Sequence, residues 1–176
     1  MKKALMVSIS VFLTVGFFVL SGLADDTLVR FEGGIGVIPV SNVAPGPAGT
    51  VVITRNIVRG VNSAGQIWVI RELDAKVMTN GDIKVEGKGL VLGGGNNVGR
   101  ATGQSVFATL ICEAAAPFTE RNTTLTGVPL APNGDFRIDD VLTPAPTTCA
   151  SPMLLIRNAA NLNWFAAGIL KSDNSD

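Results

Sequence analysis

Lys76-Val77-Met78-Thr79-Asn80-Gly81-Asp82-Ile83-Lys84-Val85 decides the fold class. Asn-Gly accepts the positive φ angles of a type I′ turn, and apolar residues alternate with polar ones on the returning side. The segment reads as two antiparallel strands, 66–78 and 83–92, joined by a two-residue loop. Met78 then faces Ile83, Val77 faces Lys84 and Lys76 faces Val85, which gathers Met78, Ile83 and Val85 on one side. Pro132-Asn133-Gly134-Asp135-Phe136-Arg137-Ile138 repeats the pattern N-G-D, apolar, basic, apolar. The flanks of the two do not align, so tight turns entering half-buried strands account for both without a duplication.

Working outward, apolar bursts of strand length alternate with turn chemistry. Residues 27–32 and 35–40 form two bursts around Gly33-Gly34, followed by the breaker run Ala44-Pro45-Gly46-Pro47-Ala48-Gly49. Residues 50–59 keep period two with a mixed polar face, as in a strand near an edge. Residues 104–113 are apolar on both faces, which describes a central strand covered on two sides. Residues 152–157 and 163–170 complete the set. Leu162, Ala166, Ile169 and Leu170 fall at helical spacing, but Gly168 and the pair Trp164-Phe165 favour a strand there. About ten short strands without a helix between them predict an all-β domain, an antiparallel β-sandwich with an open β-barrel as the alternative. Residues 93–103, rich in glycine, read as a surface loop, since no G-x-G-x-x-G register, Gly-Lys-Ser or following helix supports a phosphate cradle.

The N-terminus carries Met1-Lys2-Lys3, an uncharged run from Ala4 to Ala24 and then Asp25-Asp26. This is the pattern of an export signal forming an apolar helix, with cleavage expected after Ala24. The 21-residue uncharged run is also long enough to span a bilayer, so a membrane enters only if residues 4–24 are retained as an anchor. Residues 25–171 make one β domain, and the polar 172–176 a disordered tail. The protein is expected to be secreted, periplasmic or cell-surface. The chain balances 14 basic against 14 acidic residues, and loss of Lys2 and Lys3 leaves 12 against 14. Without a net basic face, nucleic acid is not an expected partner.

There is no His and no Tyr, which removes the usual general base near neutral pH and the commonest metal ligand. In an oxidising compartment Cys112 and Cys149 read as a disulfide, worth roughly 3–4 kcal/mol by restricting the unfolded chain. Ser105 in Gly103-Gln104-Ser105-Val106-Phe107 lacks the final glycine of a nucleophile elbow, and no Ser-x-x-Lys occurs. Carboxylates remain: Asp135, Asp139 and Asp140 around one strand, with Glu72 and Asp74 nearby, could serve a sugar-cleaving pair or a hard cation such as calcium. Turn completion and strand termination are the plainer roles for the aspartates. No catalytic residue and no cofactor is assigned. Trp68 and Trp164 are candidates for a platform against sugar rings, although both sit inside apolar bursts that suit a core.

The expectation is therefore an exported, non-enzymatic β domain that binds an extracellular glycan or protein, or acts structurally. The alternatives are a carbohydrate-binding module, a carboxylate-based enzyme acting on glycosides, or an adhesive subunit. The chain resembles pilin-like subunits in length, export signal, β content and single cysteine pair, but its cysteines sit late and no aromatic residue closes the C-terminus.

Overall fold

The computed structural model describes residues 26–171, so the expected export signal and the expected disordered tail at residues 172–176 lie outside the described residues. The strands are β1 (Thr27–Gly36), β2 (Val40–Pro45), β3 (Val51–Arg55), β4 (Ile57–Val58), β5 (Val61–Asn62), β6 (Trp68–Val69), β7 (Glu72–Met78) and β8 (Asp82–Lys88). They continue as β9 (Val91–Leu92), β10 (Ser105–Ile111), β11 (Arg121–Asn122), β12 (Val128–Pro129), β13 (Phe136–Val141), β14 (Met153–Asn158) and β15 (Trp164–Leu170). No α-helix occurs among the described residues.

Nine strands form one antiparallel sheet in the order β11-β10-β14-β15-β1-β7-β8-β13, with β12 also on β10. Its two ends nearly meet. Thr143, just after β13, exchanges both backbone hydrogen bonds with Asn122 of β11, at 3.0 and 2.9 Å. The main sheet is thus curled almost into a barrel, with the two-stranded pairs β2-β3, β4-β5 and β6-β9 beside it. The expected sandwich gives way to the open-barrel alternative because β1 pairs on both sides, with β15 and with β7, so no gap divides the strands into two stacked sheets. Gly33 contributes to the curl: instead of breaking the strand it sits at φ +88° where the β1–β15 register shifts, a bulge that bends and twists β1.

The two-sided burial expected of residues 104–113 is present in β10. Val106, Ala108 and Leu110 on one face and Phe107, Thr109 and Ile111 on the other are all buried, with the Arg157 guanidinium of β14 lying 5.2 Å from the centre of the Phe107 ring. Arg59 ties the end of β10 to the segment before β14, donating to the carbonyl oxygens of Ile111 and Ser151 while lying 6.0 Å from the centre of the Phe118 ring. Cys112, just past β10, is bonded to Cys149 in the loop between β13 and β14, with Cα atoms 4.4 Å apart, as the cysteine pattern predicts.

The opening hairpin exists but its register differs by one residue. Val77 faces Ile83, Lys76 faces Lys84 and Ala75 faces Val85. The loop has three residues, because Gly81 donates to the Met78 carbonyl and, of Asn80 and Gly81, only Gly81 takes a positive φ (+96°), where a type I′ turn needs both. Asn80 instead accepts from the Asp82 amide through Oδ1. The consequence is a cleaner core: Leu73, Ala75 and Val77 of β7 and Ile83 and Val85 of β8 are all buried, and Met78 is pushed toward the rim. Phe136 and Ile138 of β13 and Leu154 and Ile156 of β14 are buried in the same way. The 163–170 run is a strand, β15, as its aromatic pair predicts.

Candidate functional site

Strand β6 places Trp68 beside β15, where its ring stacks on Phe165 with centroids 4.0 Å apart and planes 12° from parallel. Trp164, at the start of β15, donates from Nε1 to the Asn56 carbonyl at 3.2 Å. Each tryptophan is only 4% exposed. Neither ring offers a face to a sugar, so the pair is core: the aliphatic neighbours that make these bursts hydrophobic also bury them.

The three aspartates are not gathered either. Asp135 completes its turn, accepting from the Gly89 amide at 3.0 Å and from the Asn133 side chain at 2.8 Å. Asp139 and Asp140 are consecutive in β13 and point to opposite faces. Asp139 pairs with Lys84 on β8 at 3.6 Å. Asp140 accepts from the Thr124 amide and from the Val141 amide, each at 2.8 Å. Burial alone would raise the Asp140 carboxyl, but these two amides and the Thr124 side chain together outweigh it and hold it below the usual range. It clamps the seam between β13 and the 123–124 segment. No group of three or more Cys, Asp or Glu suited to a metal ion occurs among the described residues.

The most perturbed carboxylate is Glu113, outside that trio. The Arg121 guanidinium, bonded to it at 3.0 Å, together with the Thr119 amide and its own backbone amide, lowers it to about 2 against the opposing effect of burial. Every one of these contacts orders the loop after β10, so the group is structural. The 93–103 loop closes on itself, with the Leu92 amide donating to the Arg100 carbonyl and the Gly99 amide to the Leu92 carbonyl. It opens no helix that could hold a phosphate.

Two surface features remain. The outer face of β1, β7, β8 and β13 carries cross-strand rows of like charge: Arg30, Lys76 and Lys84 in one register line, Glu32, Asp74 and Glu86 in the next. They border an open cleft of about 330 Å³. Ion pairs within and across the rows, such as Arg137–Glu86 at 2.9 Å and Lys171–Glu32, neutralise much of the line.

The second feature is the ribbon of β2 and β3, a two-stranded sheet of its own that leaves the barrel. Val43 faces Ile53, Ala44 faces Val52 and Pro45 faces Val51, and the strands join through a 3₁₀ turn at Pro47–Gly49. Val43, Val51, Val52 and Ile53 are 50–65% exposed, on both faces of the ribbon. Its base is held firmly: Asn56 donates to the carbonyls of Pro39 and Ile38, and Arg55 to that of Ser63. Ile38 and Val40 at this base also line, with Ile67, a cleft of about 480 Å³. Sequence reasoning places an edge strand here but misses that both faces are open. The available signal is a Pro-Gly-Pro turn between two valine-rich runs with almost no charge.

No family model matches the chain, and neither the curated proteins nor the solved structures contain a significant match to it.

Proposed function

We propose that this chain is an exported β domain that works by attachment, as a binding or structural unit, with the β2–β3 ribbon as its contact element. The observation that carries the reading is the exposure of four aliphatic side chains on both faces of an isolated ribbon. Single exposed valines are ordinary, but a contiguous apolar element of this kind marks an interaction surface. A free two-stranded ribbon is at best marginally stable in water, so one anchored at its base and apolar on two sides is suited to being covered. The paired cysteines favour an oxidising compartment. Among the described residues no helix is long and apolar enough to cross a membrane.

A sugar-binding role loses its support with the burial of Trp68 and Trp164, and a glycoside-cleaving pair loses it with the separate structural duties of the aspartates. The adhesive or structural reading is the one that the ribbon favours. The test compares the native protein with a Val43→Ser, Ile53→Ser variant in gently prepared extracts of producing cells and medium. Both should be exported and folded, with the native chain in an assembly larger than itself and the variant released from it. A native chain that runs alone in every fraction would overturn the reading.

A further inference from the structure

We infer that the occupant of the ribbon is a second copy of this chain, joined by antiparallel pairing of β3 with β3 across a two-fold axis. The inference rests on the proposal that the ribbon is the contact element. The Gly46 amide donates to the Thr50 carbonyl at 2.8 Å, and bonded pairs alternate along an antiparallel ladder. The bonded pairs inside the ribbon are therefore Ala44–Val52 and Asn42–Thr54. The backbone N–H and C=O groups of Val51 and Ile53 point away from β2, along an edge on which no described strand pairs. A row of backbone donors and acceptors with valine and isoleucine between them is satisfied by another strand, whereas lipid tails leave the backbone groups unmet.

The two edges of the ribbon are unequal. Pro45 lies on the outward side of β2 and has no N–H to give, and the register shifts between Val40 and Asn42, so that edge is blunted. One open edge per copy makes a closed pair and not a fibre. The segment is also self-complementary. Centred on Val52, antiparallel pairing sets Val51 against Ile53 of the second copy and Ile53 against its Val51. Arg55 is the one charged residue between positions 40 and 55, and its guanidinium is occupied at Ser63, so nothing in the strand repels its own copy. Because β3 runs from the tip of the ribbon to its base, antiparallel pairing also carries each tip toward the other copy's base. There the cleft lined by Ile38, Val40 and Ile67 provides apolar surface to receive it.

The test is sedimentation velocity of the purified exported chain, alone, across a wide concentration range, with Ile53→Lys and Ile53→Val alongside. Thermal unfolding and the fluorescence of the Trp68–Phe165 stack report the fold of each variant independently of the ribbon. The native chain and Ile53→Val should sediment as a pair, and Ile53→Lys should weaken pairing by about tenfold or more. A chain that is monomeric at every concentration, a pair that survives Ile53→Lys, an open series of larger species, or ribbon-dependent binding to lipid vesicles without pairing would each overturn the inference. Monomers from the purified protein combined with a ribbon-dependent assembly in extracts would sink this inference alone and leave the proposed function standing.

Discussion

Replacing Glu113 with Gln should destabilise the protein in a way that disappears in acid. The Arg121 contact first, and then the amide contacts, hold the Glu113 carboxyl at about 2, against an unperturbed value of 4.5. At 1.36 kcal/mol per unit, a difference of about 2.5 units corresponds to about 3.4 kcal/mol for a fully sheltered group. The Glu113 side chain keeps 27% of its exposure, and solvent screening reduces the expected loss at pH 7 to about 1–2 kcal/mol. A folded-state pKa below the unfolded one stabilises above the unfolded value, and that stabilisation is lost as pH falls through the folded value. The native protein's advantage over Glu113→Gln should therefore be full at pH 7, shrink between about pH 4.5 and pH 2, and vanish below. Paired urea or thermal melts across that range measure it, with a midpoint shift of roughly 2–8 °C at neutral pH. A gap that stays constant down to pH 2 would mean that shape and not charge matters at this site, and no gap at pH 7 would mean that the contacts are worth nothing.

Reducing the Cys112–Cys149 bond, or replacing both residues with Ala, should cost about 3–4 kcal/mol in chemical denaturation. Trp68→Ala should cost about 3–5 kcal/mol by opening a cavity beside Phe165, while native tryptophan emission should resist added quencher and ignore added oligosaccharides. Gly81→Ala forces a side chain into the left-handed region at φ +96°, with its Cβ 3.1 Å from that of Ala145, and should lower stability by about 1–2 kcal/mol. Lys76→Glu, between Arg30 and Lys84 in the basic row, should instead raise stability by about 0.5 kcal/mol in low salt, an effect lost in high salt.

The strand content and the disulfide were legible because both follow from local signals. Residues 104–113 and 163–170 advertise strands by their β-branched and aromatic content, and a chain with only two cysteines leaves each a single possible partner within it. Strand order was not legible, since pairing of β1 with β15 joins residues more than a hundred positions apart and no local pattern encodes it. A sandwich and a curled single sheet demand the same alternation. The hairpin register failed for a subtler reason: Asn-Gly suits both a two-residue loop and the last two places of a three-residue one, and the choice depends on which face of β8 the core needs. The tryptophans illustrate the limit for sites, because an apolar neighbourhood in sequence favoured burial without excluding a rim position. The ribbon was half legible, as an edge strand near breakers, but exposure on both of its faces depends on the barrel turning away from it.

The pairing of β1 with β15 has a consequence for how the molecule is made. The first described strand lies between β7 and the last one, and Lys171 donates its amide to the Arg30 carbonyl at 3.0 Å. A chain delivered from its N-terminus, by a ribosome or through a membrane pore, can pair β1 with β7 early. One edge of β1 must then stay open until residues 164–170 arrive. Gly34, Ile35 and Gly36, which pair with Gly168, Ala167 and Ala166 of β15, therefore form a waiting edge during synthesis, and contacts so distant in sequence place folding on the slow, millisecond-to-second side of small domains.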